Sequence, residues 1–170
     1  MSKEWYVLHV RTGEETTVKD LIQRDMPQAD ALAPRRSMRE RKDGKWKDVV
    51  RTVFQGYVFV RCSLEDTKMY YRLSGLPGVI KILRGASDSP APVPEEEMKF
   101  VLRFAKDDDW GMSDLVMEGD NIKVVSGPLE GYEGQIVKVN KRNFRARVKF
   151  TLMGQEKFID LGINVVEKKV

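Results

Sequence analysis

Gly119-Asp-Asn-Ile-Lys-Val-Val-Ser-Gly-Pro-Leu-Glu-Gly-Tyr-Glu-Gly134 sets four glycines and one proline around a single short β-branched run. Glycine reaches backbone angles that other residues resist, so this stretch reads as a strand between tight turns. The same pattern continues downstream. Ile136, Val137 and Val139, then Ala146, Val148 and Phe150, then Phe158 and Leu161 lie on short runs separated by Gly, Asn and Asp. About five such strands in roughly 50 residues predict a small barrel, because closure removes the edges that a flat sheet of that size leaves exposed. Within it, Arg145-Ala-Arg-Val-Lys-Phe150 alternates three cations with three apolar groups, so Arg145, Arg147 and Lys149 are expected outside and Ala146, Val148 and Phe150 inside.

Working back from the barrel, Ala105-Lys-Asp-Asp-Asp-Trp-Gly-Met-Ser-Asp114 has no apolar period and crowds like charges. That is the composition of a solvated linker. Residues 1–104 carry 19 Lys or Arg against 15 Asp or Glu, residues 105–118 carry 1 against 5, and residues 119–170 carry 10 against 6. The expected organisation is therefore an α/β domain over 1–104, an acidic joint over 105–118 and a barrel over 119–170.

In the first block, Trp5–Val10 is an apolar run suited to a buried strand. Thr12 and Glu15 follow at capping-box spacing, which predicts a helix whose apolar face is Val18, Leu21, Ile22 and Met26 and which stops at Pro27. Asp43-Gly44 predicts a hairpin turn inside residues 35–51, where eight basic residues meet three acidic ones. Val53–Val60 reads as a strand with Tyr57 and Phe59 on one face and Val58 and Val60 on the other. A helix over Asp66–Ser74 should end at Gly75 as a left-handed cap, Val79–Leu83 is a further strand, and Pro94 with Glu95, Glu96 and Glu97 opens a helix whose apolar face is Met98, Val101 and Leu102. The order fits one antiparallel or mixed sheet covered by helices, an α+β fold.

Gly119-Asp120, Gly127-Pro128, Gly131 and Gly134-x-Ile-Val resemble the KOW box of transcription factors and ribosomal proteins. Upstream, Trp5-Tyr-Val-Leu, Thr12-Gly-x-Glu15, Phe54-Gln-Gly-Tyr-Val-Phe-Val60 and Ser87-Asp-x-Pro-Ala-Pro92 resemble the amino-terminal domain of the bacterial NusG family, in the same order. The resemblance implies a ferredoxin-like first domain that rides RNA polymerase on its clamp helices, and a tethered SH3-like KOW barrel that recruits other machinery, a ribosomal protein or a termination factor. Two departures stand out: Gln55 occupies the place of the family's proline in Phe-Pro-Gly-Tyr, and Leu129, Tyr132 and Met153 stand where aromatic groups usually tip the barrel. With its basic hairpin the chain is similar to the specialised paralogs of the family, the LoaP antiterminators among them. Such paralogs act on selected operons, often after reading an RNA or DNA element.

Candidate residues follow, each with two readings. Large apolar side chains are mostly interior, so by themselves Tyr57 and Phe59 read as core. The resemblance instead carries Phe54, Tyr57, Phe59 and Met98 over as the polymerase-docking set, and Lys68, Met69 and Tyr70 as a contact across the polymerase cleft. Arg35, Arg36, Arg39, Arg41, Lys42 and Lys45 form either a solvated edge or a phosphate-binding ribbon for RNA or non-template DNA, with Arg145 and Arg147 as further candidates. Trp46 is either a stacking platform or a cap on the sheet. Leu129, Tyr132 and Met153 are the implied partner surface of the KOW domain.

Motifs for catalysis are missing. His9 is the only histidine and sits in an expected strand, Cys62 stands alone, and no phosphate-gripping loop or metal-ligand spacing occurs; Asp107–Asp109 lacks the regular ligands of a calcium loop. A lone cysteine and no apolar run near the ~18 residues of a membrane span point to the cytosol, and a monomeric binding protein with no cofactor and no membrane partner is expected. A pI of about 9.1 at net charge +4 suits a polyanionic partner. The reading is a transcription elongation factor that promotes processive elongation or antitermination; the alternative is a KOW-type RNA-binding module of the ribosome or another RNA.

Overall fold

A computed structural model describes residues 2–105 and 112–166, so most of the acidic joint, with Asp107–Asp109, lies outside the described residues. The chain divides into two compact units, Met1–Ala33 with Phe54–Lys99, and Pro34–Val53 with Phe100–Val170. In chain order the elements are β1 (Glu4–Val10), α1 (Glu15–Asp25), β2 (Asp30–Leu32), β3 (Arg35–Lys42), β4 (Lys45–Thr52), β5 (Tyr57–Cys62), α2 (Thr67–Ser74), β6 (Val79–Ile82), α3 (Glu95–Arg103), β7 (Ser113–Glu118), β8 (Asn121–Ser126), β9 (Ile136–Asn140), β10 (Arg145–Leu152) and β11 (Gln155–Val165).

The first unit is built on an antiparallel sheet of order β2-β5-β1-β6. Opposed pairs such as Tyr6 with Val60 and Leu8 with Val58 set its register. Because side chains alternate along a strand, Tyr6, Leu8, Val10, Val58, Val60 and Cys62 share one face. That face forms a single core with Val18, Ile22 and Met26 from α1 and its end, and with Met69 and Leu73 from α2. Each fully buried Val, Leu or Ile contributes about 1.5–3 kcal/mol by leaving water. Val7 and Phe59 fall on the opposite face and are fully buried as well.

Local details differ from the sequence expectations. The capping box does not form: Glu14 is the N-cap of α1 without a side-chain bond. Glu15 is buried, and its carboxylate accepts from Gly13 N–H at 2.6 Å and Gly56 N–H at 2.9 Å. It thus ties the start of α1 to the turn before β5, which begins at Tyr57 and not at Val53. Asp66 does cap α2, accepting from Lys68 N–H, but Gly75 has φ −90° and uses none of glycine's freedom. On α3, Met98 and Val101 are buried as expected, whereas Leu102 is exposed and Phe100 and Phe104 take the inward places. The three-residue strand β2 has no apolar alternation to announce it.

In the second unit, strands in the order β8-β7-β11-β10-β9 curl into the expected barrel. Neighbours run antiparallel except β7 and β11, which are parallel. Leu115, Val124, Leu129, Val148, Leu152, Leu161 and Ile163 are among its buried residues. The barrel begins at Ser113, inside the stretch read as linker, because Leu115-Val-Met117 forms a strand whose apolar centre the flanking acids conceal. Gly127 is required by geometry: φ is +97°, and a Cβ would lie 2.5 Å from Ser113 Cα. Beside it, Leu129 N–H donates to Ser113 Oγ at 3.0 Å, which draws that loop onto the first strand and buries Leu129.

The hairpin β3–β4 is a two-stranded sheet of its own and belongs to this second unit. Asp43 at φ 53° and Gly44 at φ 76° make the positive-φ turn that Asp-Gly predicts.

Candidate functional site

Directly opposed residues of an antiparallel pair share a face, and on the hairpin these are Arg41 with Trp46, Arg39 with Asp48, Glu40 with Lys47 and Lys42 with Lys45. Glu40 accepts two hydrogen bonds from Arg51, from Nε at 2.8 Å and Nη2 at 3.2 Å. Those bonds hold its carboxyl below the usual range. Arg39 Nε lies 3.7 Å from Asp48 Oδ1, too long for a strong ion pair, and its guanidinium sits 4.8 Å above the ring of Phe144. Trp46 meets the same ring edge to face, with centroids 5.1 Å apart and planes at 85°. Arg39, Glu40, Arg41, Trp46, Asn143 and Arg145 line a cleft of about 180 Å³ between the hairpin and the β9–β10 turn.

The candidate cations therefore separate. Arg39, Arg41 and Arg145 converge on the cleft, while Lys42 and Lys45 are exposed at the hairpin tip and Arg35 is half-buried. Arg36 is a correction: the strand's alternation turns it inward with Met38, and it is buried. It donates from Nη1 to Thr52 O at 2.6 Å, and burial lowers its pKa to about 10, so it remains charged at neutral pH but does not face solvent. On β10, the alternation of Arg145, Arg147 and Lys149 with buried Ala146, Val148 and Phe150 is as expected. Arg147 lies 5.0 Å above the exposed ring of Phe158. Sequence reasoning missed Phe144 and Asn143: the asparagines of Asn140-Lys-Arg-Asn143 mark a turn, but no local pattern reports that it presents an aromatic ring at φ 56°.

The apolar candidates are placed less openly than a docking surface requires. Phe54, Phe59 and Met98 are buried, with Phe54 and Phe59 in edge contact at 5.4 Å. Only Tyr57 is half-exposed, its ring 5.8 Å from that of His9. On α2, Lys68 is exposed, Met69 is core, and Tyr70 is half-buried against that core. The outward aromatic there is its neighbour Tyr71, 71% exposed, which helical period alone could have found one turn from Lys68. Of the three barrel-tip residues, Leu129 is interior and corrected accordingly. Tyr132 is half-buried, its ring edge-on to Phe100 at 5.2 Å, and Met153 is half-buried in the β10–β11 turn at φ 51°.

Burial pushes the Cys62 thiol up to about 11, the opposite of a nucleophile's environment. Among the described residues no cluster of His, Cys, Asp and Glu is arranged to hold a metal ion, and no helix is long and apolar enough to cross a membrane.

Residues 3–102 match the family model described as transcription termination factor nusG, and residues 118–150 match the KOW motif. The chain is 27% identical over 177 residues to the transcription termination/antitermination protein NusG of Pseudomonas aeruginosa, covering 99% of both chains. It is also 27% identical over 184 residues to the protein of that name from Thermus thermophilus, covering 99% of this chain and all of the other. Among solved structures, one described as domain interaction in Thermotoga maritima NusG matches at a TM-score of 0.61 and 24% identity, over 95% of this chain and 94% of that one, a likeness of fold.

Proposed function

The chain belongs to the NusG family and is a NusG-type transcription factor, and on that premise we propose that it binds RNA polymerase at the clamp through its first domain and promotes processive elongation or antitermination. In this reading the first domain grips the enzyme, the acidic joint ahead of Ser113 tethers, and the barrel that begins at Ser113 recruits a further partner. The observation that carries it is β5, whose two faces are both apolar: Val58 and Val60 are committed to the core with α1 and α2, while Tyr57 and Phe59 point the other way. A buried aromatic anchor in a partner's groove supplies ~2 kcal/mol or more, so a few such residues suffice for an interface. Tyr57 is the member of the set within reach of a partner, and docking through Phe54, Phe59 and Met98 requires that they be uncovered. Lys68, Tyr70 and the exposed Tyr71 form the second contact, across the cleft.

Binding the elongating state of the polymerase better than its paused or terminating state is what shifts the balance between them. Selection of particular operons falls to the cationic hairpin and the outer face of β10, where Arg39, Arg41, Arg145 and Arg147 meet RNA or non-template DNA by neutralising phosphates. Tyr132 and Met153 remain as the barrel's partner surface. The test is retention of purified core RNA polymerase on the immobilised full chain. Wild type is expected to retain it and Tyr57→Ala to retain less. Loss of retention by the wild type overturns the reading and leaves a KOW-type RNA-binding module in its place.

A further inference from the structure

We propose that the cleft between the hairpin and the β9–β10 turn holds one unpaired nucleotide, its base stacked on Trp46 and its phosphate met by Arg41 and Arg145. The inference rests on the nucleic-acid reading of the basic face and deepens it by naming what is bound and where.

Three observations point to this occupant. First, the cleft has an apolar corner at the indole of Trp46, which Phe144, itself outside the lining, braces edge to face. Trp46 is 40% exposed although it is the largest apolar side chain of the hairpin. A planar, electron-rich base fits such a corner, stacking on the indole while Arg39 reaches its acceptor edge and Arg41 and Arg145 its phosphate. Second, the charge is suited to a nucleotide. Three guanidiniums and one carboxylate line the cleft, a net +2, and the carboxylate of Glu40 is already engaged by Arg51. Third, the size is limiting. Sites for drug-sized ligands enclose roughly 300 Å³ or more, and this cleft of about 180 Å³ accepts a single base with its strand continuing into solvent.

Phe144 adds a structural argument. A bulky residue at φ 56° is held in a sparsely populated conformation that the surrounding structure must enforce. Here the turn does so through Asn143 N–H donating to Asn140 Oδ1 at 3.1 Å and Ile163 N–H donating to Phe144 O at 3.0 Å. The outcome of that strain is the ring's position against Trp46 and Arg39. A duplex keeps its bases stacked on one another and offers this corner nothing to stack, so the cleft selects a nucleotide that is out of the helix, in a loop, a bulge or a single strand. The hairpin and the barrel then act as one site, with Arg41 and Trp46 from the first and Asn143 and Arg145 from the second.

The experiment is fluorescence anisotropy with the full chain at fixed physiological salt. The probes are a labelled single-stranded RNA of roughly 12 nucleotides, a single-stranded DNA of the same sequence and the RNA annealed to its complement. Either single strand is expected to bind more tightly than the duplex; the tighter of the two assigns the source as transcript or as single-stranded DNA. Trp46→Ala should weaken single-strand binding roughly tenfold without changing its salt dependence, whereas Trp46→Tyr, which keeps a stacking ring, should retain most of the affinity. Arg41→Ala with Arg145→Ala should flatten the dependence of log K on log salt by about 0.7, the share of one phosphate on a single strand. Equal binding of single strand and duplex by the wild type overturns the nucleotide cleft while leaving nucleic-acid binding intact. So does an unchanged Trp46→Ala variant, or an equal loss in Trp46→Tyr. No binding of any probe overturns the nucleic-acid reading itself, and the cleft with it.

Discussion

The strand β5 and the hairpin β3–β4 are separated by a single turn, and they are held in place in different ways. β5 lies between β1 and β2, with Val58, Phe59 and Val60 all fully buried. The hairpin has only itself as a sheet partner, and β4 is exposed along most of its length. The first is positioned by burial, the second by its turn, its cross-strand pairs, a ring contact at Phe144 and the inward Arg36 and Met38 of β3 alone. Burial yields stability at the expense of access. A cross-strand pair contributes only about 0.2–1 kcal/mol but leaves side chains in reach of a partner. In this chain the strand that stabilises and the hairpin that presents exposed cations are therefore neighbours with little in common.

The largest expected effect tests that contrast directly. Phe59→Ala should lower stability by about 3–5 kcal/mol in denaturant unfolding, since it leaves a cavity beside Phe54. Trp46→Ala should lower it by only about 1 kcal/mol, the scale of one aromatic edge contact. Similar losses in the two variants would break the distinction.

A second effect sharpens it at the end of β5. Cys62 is buried and its thiol raised to about 11 by desolvation. The folded chain thus keeps a proton that the unfolded chain releases near pH 8.5. Stability from this group is fully present below that value and is lost as pH rises towards 11. Urea melts over the alkaline range should show a steeper decline for wild type than for Cys62→Ala. Labelling of the native thiol at pH 8 should be slower than in the unfolded chain by a factor on the order of 10³ or more.

The smallest effect belongs to the hairpin. Glu40 is held below the usual carboxyl range first by its hydrogen bonds from Arg51. Its contribution is present above the unfolded value near 4.3 and lost as pH falls through the lower folded value. The pair is largely solvent-accessible, so Glu40→Gln should cost less than about 1 kcal/mol at neutral pH. The gap between the two melts should close on acidification.

Much of the fold was legible in the chain because it is written in local chemistry. Asp43-Gly44 turns as expected, and the alternation Ala146, Val148, Phe150 faces inward as expected. The failures have identifiable causes. Thr12 and Glu15 had the spacing of a capping box, yet Glu15 found a better partner in Gly56, 41 residues away, and no local pattern reports a contact of that range. The acidic flanks of β7 suggest a solvated linker, but its pairing with β11, about 50 residues on, makes it a strand. Arg36 and Leu129 were offered as surface residues on motif and composition, but alternation beside Met38 and the approach of Gly127 to Ser113 turned them inward.

For the candidate site, the residue types were all visible and their meeting was not. The sequence by itself determined an α+β chain with a Gly-rich barrel, a cationic hairpin closed by a positive-φ turn, and an apolar strand with no polar face, since propensity, period and charge are properties of neighbouring residues. Only the tertiary structure decided which of those cations share a cleft. Arg41 and Arg145 are about a hundred positions apart and converge because the hairpin packs beside the β9–β10 turn, where Phe144 meets Trp46. Such a contact depends on how two sheets close on each other, a balance of burial against backbone strain at one residue, and no stretch of sequence contains both sides of it.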